Sequence, residues 1–302
     1  MKIITTADFQ IEEPTVVAIG KFDGFHVGHQ KLLQTLMEQK EKGLASVVFT
    51  FIPSPAAFFS KKVLPELSTI EEKRSIFEQA GVDYLIECPF NQIVADTDPQ
   101  AFIEQVLHKQ IGAKCVVAGE DVSYGKMGRG DYKLLQDKAS VYDYEVILIE
   151  KVLFHDREIS STFVREAVKD GDLKLVQTLL GQPYTVSGEI VHGRKLGRTI
   201  GMPTVNLIPP QEKLLPPKGV YYSRTLLDGK TYRSITNIGT KPTVDGQKMG
   251  VETYIYDFNQ DVYGKYAVVE LLEFKRPEMK FASVEQLKLQ MQSDILSGKT
   301  YQ

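Results

Sequence analysis

The sequence has few cysteines and no excess of either charge. Cys88 and Cys115 are the two cysteines among 302 residues, and neither lies in a C-x-x-C pair or beside a cluster of histidines, which argues against a zinc site and a disulfide framework. Lysine and arginine number 36 against 39 aspartates and glutamates, for a net charge of −3, so no broad basic surface for nucleic acid is expected. We therefore predict two buried free thiols and no nucleic-acid partner.

Long apolar runs are missing as well. The N-terminus has one early lysine but no apolar segment of the signal-peptide type. No run approaches the ~18 consecutive apolar residues of a membrane span. These features predict a cytoplasmic protein without a membrane partner, and they leave the oligomeric state open.

The composition that is present is typical of a globular protein with a sizeable core, at 42% hydrophobic and 25% charged residues. At roughly 100–200 residues per domain, the length favours two domains. The pattern along the chain places their boundary near residue 183, which predicts domains of 1–182 and 183–302.

The first half alternates short apolar runs with helical patterns. Runs at 15–19, 46–51, 84–87, 114–118 and 145–149 are apolar on both faces, as in a parallel sheet covered on both sides. Asp98 and Pro99 open a helix over 100–110 that ends at Gly112, and the pair Ser68 and Thr69 opens another. This βαβ series predicts a doubly wound α/β domain.

The second half is made of consecutive strand patterns, at 184–191, 219–227, 231–238, 251–258 and 265–274. Asp228 and Gly229 are a strong hairpin signal between two of them. Only residues 283–296 return to helical periodicity. The expected fold is a small antiparallel β-barrel with one terminal helix.

A glycine-rich segment, residues 20–29 (GKFDGFHVGH), lies between the first long strand and a predicted helix over 30–42. Its glycines permit close backbone approach, and the helix N-terminus attracts anions, so the segment predicts a phosphate site. His26 and His29 can donate hydrogen bonds to phosphates at the N-terminus of that helix. Alone, the two histidines could be surface or core residues; their place in a glycine loop at a strand–helix junction favours the functional interpretation.

Two further segments can bind phosphate, although each also has a purely structural explanation. Residues 159–165 (ISSTFVR) can be a capped helix, or they can bring Arg165 to the same phosphate. Residues 186–206 combine several glycines with Arg194, Lys195 and Arg198, which describes either a solvated hairpin or a cationic loop that covers phosphates.

Taken together, residues 26–29 (HVGH) and 159–165 resemble the bacterial bifunctional riboflavin kinase/FMN adenylyltransferase family. The resemblance implies that the first half is a nucleotidylyltransferase, in which the FMN phosphate attacks the α-phosphorus of ATP and pyrophosphate leaves. It implies catalytic roles for His26, His29 and Arg165. The ATP-binding residues expected in this half are Gly20, Phe22, Asp23, Gly24, Gly28, Ser161 and Thr162.

The second half resembles riboflavin kinases through residues 197–206, which match G-R-x-I-G-x-P-T-A-N except at Val205. The resemblance implies Mg²⁺ with ATP at Thr204 and Asn206, whose oxygens suit that ion, and Glu252 as general base for the riboflavin 5′-hydroxyl. The ATP-binding residues expected here are Gly193, Arg194, Lys195, Gly197 and Arg198. The flavin-binding residues expected in the two halves are Asp121, Asn237 and Arg276.

Departures from the family pattern concentrate in the first half. Ser54 replaces the histidine of a usual Pro-His-Pro. Val122 and Tyr124 replace the two phenylalanines of a usual Gly-x-Asp-Phe-x-Phe-Gly segment. Each loss of a ligand contact could weaken binding by roughly 1–3 kcal/mol, so adenylyl transfer is the less secure of the two activities.

The leading hypothesis is an enzyme that phosphorylates riboflavin and adenylylates FMN, with riboflavin, FMN, FAD and ATP as its ligands. The alternatives are a relative with one of the two activities, a flavin-binding sensor without turnover, and a nucleotidylyltransferase for another phosphorylated acceptor.

Overall fold

A computed structural model describes residues 1–193, 201–243 and 246–301, which pack into two compact units, Met1–Ser161 and Thr162–Gln302. The division after Ser161 places the helices that precede residue 183 with the barrel. The domain boundary at 182 stays a prediction.

The first unit contains a six-stranded parallel sheet in the order β1-β4-β3-β2-β5-β6. Its strands are β1 (Lys2–Ile4), β2 (Thr15–Ile19), β3 (Ala45–Ile52), β4 (Tyr84–Pro89), β5 (Ala113–Gly119) and β6 (Glu145–Ile149). Five of them coincide with the predicted runs within two residues at each end. The edge strand β1 was not predicted. A two-stranded hairpin, β7 (Leu153–Phe154) and β8 (Arg157–Glu158), follows β6.

Helices cover both faces of this sheet. They are α1 (Val27–Lys40), α2 (Pro55–Ser60), α3 (Ile70–Gln79), α4 (Gln92–Ala95), α5 (Pro99–Ala101, continued as a π-helix over Phe102–Gln110) and α6 (Tyr132–Tyr142), with a 3₁₀ turn at Lys126–Gly128. Alternate strand residues face opposite sides: Val17 and Val47 pack in the cluster that contains Phe102, whereas Val16 and Val48 pack in the cluster that contains Leu36. Both cysteines are buried and free, as predicted.

The second unit is a closed barrel in the order β10-β13-β12-β11-β14-β9, with antiparallel pairs throughout. Its strands are β9 (Tyr184–Val191), β10 (Val205–Leu207), β11 (Gly219–Leu227), β12 (Lys230–Thr243), β13 (Gly246–Ile255) and β14 (Tyr266–Pro277). The predicted turn at Asp228 and Gly229 joins β11 to β12, with both residues at positive φ. The predicted strand over 251–258 ends earlier, at Ile255, because Asp257 also turns the chain at positive φ.

Three helices accompany the barrel: α7 (Ser161–Asp170), α8 (Leu173–Leu180) and the terminal α9 (Val284–Thr300). The side chain of Ser283 caps α9 by accepting the N–H of Gln286 at 3.2 Å. The predicted α/β domain and the predicted barrel with a terminal helix are both confirmed. Among the residues that the structure describes, no helix is long and apolar enough to cross a membrane.

Candidate active sites

The crevice at the carboxyl ends of β2 and β5 is the first candidate site. The chain leaves β2 toward β3 on one side and later returns to place β5 on the other, so the connections after β2 and β5 diverge. Such a switch point is where open α/β sheets bind ligands. Gly20 follows β2, and Asp121 follows β5, so the topology brings the two predicted segments to one edge of the sheet.

His26 and His29 form a stacked pair at the start of α1. His26 occupies the N-cap position but does not cap with its side chain. Its ring lies over that of His29 with 3.8 Å between the ring centroids. The Nδ1 atoms of both are buried and have no hydrogen-bond partner among the described residues. Two buried, unsatisfied ring nitrogens at a helix N-terminus fit a ligand with phosphate oxygens.

Burial keeps both imidazoles neutral. It lowers the pKa of His26 to about 4, against the opposing effect of the Asp121, Asp23 and Glu158 carboxylates. Burial also lowers the pKa of His29, and the nearby His26 and Lys73 lower it further. A neutral imidazole donates from one nitrogen and accepts at the other, so each ring can give one hydrogen bond without carrying a charge.

The glycines of the loop make room for its neighbouring rings. A Cβ on Gly28 would lie 3.1 Å from the His26 ring, and a Cβ on Gly20 would lie 3.0 Å from the ring of Phe22. Phe22 itself packs edge-to-face on Phe77. The loop that presents the histidines is therefore built on a buried aromatic cluster.

The other predicted residues of this half have different environments. The Asp23 carboxylate is fully buried and accepts backbone N–H groups of Leu67 and Ser68. Ser161 begins α7 and donates its hydroxyl to the Asp23 carbonyl at 2.8 Å. Thr162 and Arg165 follow on α7, in the second unit.

The three departures from the family pattern in the first half all have local contacts. Ser54 caps α2, accepting the Ala57 N–H at 3.4 Å. Val122 is half-buried against the core. Tyr124 is buried and donates its hydroxyl to the Asp131 carbonyl at 3.2 Å, so its ring is part of the core. Asp121 is exposed.

A cavity of about 670 Å³ in the second unit is the second candidate site. Strand β13 carries Glu252 at its centre, and register places Asn206 of β10 and Asn237 of β12 directly opposite it on either side. Thr204 donates its hydroxyl to Glu252 Oε1 at 2.6 Å. The cavity thus brings together the predicted metal-binding residues, the predicted general base and two of the predicted flavin-binding residues, Asn237 and Arg276.

Gly193 is also required by the geometry of this cavity, since a Cβ there would lie 2.4 Å from Asn206 Nδ2. The predicted ATP-binding residues Arg194, Lys195, Gly197 and Arg198 lie outside the described residues.

The terminal helix α9 supplies Asp294, a residue of the cavity wall that the sequence analysis did not identify. Arg276 lines the cavity, and its guanidinium binds the carboxylate of Asp294 on α9, with distances of 2.5 to 3.1 Å. Asp294 is 4% exposed. The signal in the sequence was an acid on the apolar side of the helix, between Met291 and Ile295, which both line the cavity as well.

Two family models match the chain in succession. The model of FAD synthetase matches residues 8–163, and that of riboflavin kinase matches residues 180–302.

Relatives named bifunctional riboflavin kinase/FMN adenylyltransferase match nearly the whole chain. The protein of Bacillus subtilis (strain 168) is 37% identical over 290 residues, covering 93% of this chain and 90% of its own. That of Escherichia coli (strain K12) is 37% identical over 293 residues, covering 96% and 93%. The crystal structure of a protein named a macrolide-efflux protein, from Streptococcus pneumoniae, has a TM-score of 0.84 at 32% identity and covers 99% of this chain and 100% of that one. From the family models and these sequence relatives, the chain belongs to the bifunctional riboflavin kinase/FMN adenylyltransferase family.

Proposed function

We propose that the chain makes FMN at the barrel cavity and FAD at the crevice after β2, with ATP as the second substrate of both reactions. Membership of the family makes the protein a riboflavin kinase and an FMN adenylyltransferase. The observation that carries the assignment to two sites is that each family model coincides with one predicted set of polar residues, the stacked histidines in one unit and the Glu252 cluster in the other.

Adenylyl transfer needs stabilisation of charge rather than a covalent intermediate on the enzyme. An oxygen of the FMN phosphate attacks the α-phosphorus, and the bond from that phosphorus to pyrophosphate breaks. His26 and His29 donate hydrogen bonds to the phosphates as charge develops on pyrophosphate. Gly24 and Ser161 belong to the segments of the first unit that hold the nucleotide. The burial of both imidazoles supports this role, because hydrogen bonds are stronger where water is excluded.

Phosphoryl transfer in the cavity uses one carboxylate to orient the attacking hydroxyl. Glu252 accepts the proton of the riboflavin 5′-hydroxyl as that oxygen bonds to the γ-phosphorus of ATP, while the bond from that phosphorus to ADP breaks and ADP leaves. Thr204 donates its hydroxyl to one oxygen of this carboxylate at 2.6 Å and so helps to orient it. Asn237 and Arg276 line the same cavity, and the proposal assigns the flavin to them.

The donor set of the cavity fits Mg²⁺ bound together with ATP. The Thr204 hydroxyl and the Asn206 amide are hard oxygen ligands, and Mg²⁺ commonly takes few protein ligands and completes its octahedron with phosphate and water. When bound, the ion would neutralise charge on the β- and γ-phosphates. Among the described residues, no group of three His, Cys, Asp or Glu side chains is arranged to hold a metal ion by itself, and the proposed site does not need one.

The proposal also includes the cellular setting. We expect a cytoplasmic enzyme whose ligands are riboflavin, FMN, FAD and ATP, without a nucleic-acid or membrane partner. The near-balanced charge of the chain supports the absence of a nucleic-acid partner.

One assay tests both activities. The purified protein is incubated with riboflavin, ATP and Mg²⁺, and the flavins are separated chromatographically over time. FMN should accumulate first and FAD should follow. If only FMN is formed, the protein is a riboflavin kinase without adenylyltransferase activity. If FAD is formed only from supplied FMN, the protein is an adenylyltransferase without kinase activity. If no product is formed, the result favours a flavin-binding sensor. Replacement of FMN by other phosphorylated acceptors tests the remaining alternative.

Substitutions assign the activities to their sites. Glu252→Ala should stop FMN formation and leave FAD formation from supplied FMN; Glu270→Ala, a barrel-strand glutamate paired with Arg224 at 2.8 Å, is its matched control. His29→Ala should stop FAD formation only, with the exposed His108→Ala as control. Loss of both activities in either variant would contradict two independent centres.

A further inference from the structure

The loop that presents the two histidines adopts a backbone that needs support. Between β2 and α1, Phe22, Gly24 and Phe25 all have positive φ, at 50°, 82° and 47°. Two of these three residues carry large side chains, which rarely occupy the left-handed region. Such conformations persist where the surroundings dictate them. The rings of Phe22 and Phe25 are buried against Phe77, with centroid distances of 5.3 and 5.9 Å.

Asp23 lies in the middle of this strained segment and faces the protein interior. Its side chain is 0% exposed. One carboxylate oxygen, Oδ1, accepts the N–H groups of Leu67 at 2.8 Å and Ser68 at 3.1 Å. Its carbonyl accepts the hydroxyl of Ser161 at 2.8 Å. One residue therefore joins the histidine loop to two segments that are 44 and 138 positions away in the sequence.

The segment beneath the loop is itself well anchored. A Cβ on Gly24 would lie 2.6 Å from Leu67 Cδ1, so the loop rests directly on that side chain. Immediately after Ser68, Thr69 and Glu72 form a capping box that starts α3. The next turn of α3 is tied to strand β4 by two hydrogen bonds between Arg74 and the buried Glu87, at 2.8 and 2.5 Å.

We propose that Asp23 is a positioning residue for adenylyl transfer, which holds His26 and His29 in place for the ATP phosphates instead of binding the nucleotide. This inference rests on the proposed function of the crevice, and it replaces the nucleotide contact expected for Asp23 from the family resemblance. Oδ1 is directed at two backbone donors in the interior, and a carboxylate facing the triphosphate would repel it. Ser161 acts from the other side, through the carbonyl of the same residue.

Asp23→Asn and Asp23→Ala separate positioning from nucleotide binding. Asparagine keeps an oxygen that can accept both N–H groups, so its kcat and its KM for ATP in FAD formation should stay within about fivefold of wild type. Alanine loses both bonds; a displacement of the histidines by about 1 Å should lower kcat/KM for ATP roughly 100-fold. Riboflavin phosphorylation by the same chain should stay unchanged in both variants.

Asp83→Ala is the matched control for lost stability. Asp83 also accepts a backbone N–H and a hydroxyl, both from Ser46, at 2.9 and 2.8 Å, but it precedes β4 and so lies at the opposite end of the sheet. Its loss should lower the melting temperature and leave kcat and the KM for ATP of the folded protein near wild type. Equal kinetic losses in Asp83→Ala and Asp23→Ala would show a purely structural effect and overturn the proposal.

The remaining outcomes are equally decisive. A folded Asp23→Asn protein that is as inactive as Asp23→Ala would show that the charge itself is needed, as in a nucleotide or metal ligand, and would refute positioning. If alanine prevents folding of the first unit, Asp23→Asn decides alone: a KM for ATP within about fivefold of wild type supports positioning, and a larger rise counts against it. Failure of the proposed function is recognised separately, since wild type would then form no FAD from FMN and ATP.

Discussion

Lowering the pH from 7 to 4 should destabilise the α/β unit through His26. The residue is 8% exposed in the native protein, and burial lowers the pKa of its imidazole from 6.5 to about 4. Between these two values the unfolded chain binds a proton that the native imidazole does not, so stability falls as the pH falls from 6.5 and levels off below 4. A pKa that is lower by about 2.5 in the native protein corresponds to a loss of about 3 kcal/mol in the free energy of unfolding. The lowered pKa of His29 adds a loss of the same sign.

The measurement compares urea unfolding of wild type and His26→Gln at pH 7, 6, 5 and 4. Carboxylates titrate in both proteins, so the difference between the two profiles isolates the imidazole. The free energy of unfolding of wild type should fall by about 3 kcal/mol more than that of the variant over this range. Most of this difference should arise between pH 6 and pH 4. The exposed His108→Gln should follow wild type. Profiles of wild type and His26→Gln that run parallel would refute the conclusion that burial keeps His26 neutral.

Three substitutions test the contacts of the two sites. Gly28→Ala places a Cβ 3.1 Å from the His26 ring, so FAD formation should slow roughly tenfold while riboflavin phosphorylation is unchanged; normal FAD formation would show that the ring has room to move. Thr204→Val removes the 2.6 Å hydrogen bond to Glu252 and should slow FMN formation by a factor of about 10 or more, with FAD formation from FMN as the control. Asp294→Asn leaves Arg276 in the cavity wall without its carboxylate and should lower the free energy of unfolding of the barrel by about 3 kcal/mol; a loss below about 1 kcal/mol, measured in urea, would show that solvent already screens the pair.

The central strands of both units could be predicted from the sequence because burial on both faces, or strict alternation, leaves a pattern along five or more residues. The strands β1 (Lys2–Ile4) and β10 (Val205–Leu207) have three residues each, too few to show a period. Pairing with β4 fixes the first of them, and pairing with β9 and β13 fixes the second. Such strands are defined by partners that are distant in the sequence, which a local pattern does not contain.

The side chains of the two sites also depend partly on the local sequence and partly on partners that are distant in the sequence. The order of residues in the segment 20–29 predicts a phosphate loop, but it does not tell which side chains turn outward. Asp23 turns into the protein and bonds to Leu67 and Ser68, whereas the rings of His26 and His29 stack at the helix N-terminus. Asp294 was missed because its significance depends on Arg276, eighteen residues earlier in the chain.

The departures at Ser54, Val122 and Tyr124 bear on affinity more than on turnover. Each side chain has a local role of its own: Ser54 caps α2, Val122 packs against the core, and Tyr124 lies in the core and donates its hydroxyl to the Asp131 carbonyl. The loops that carry them are therefore held in place, and the histidine loop is tied by Asp23 to other segments. A ring or imidazole that no longer faces the flavin costs roughly 1–3 kcal/mol of binding, which raises the KM for FMN. The transfer step depends on the geometry at the α-phosphorus, and His26 and His29, which the proposal assigns to this geometry, are both present.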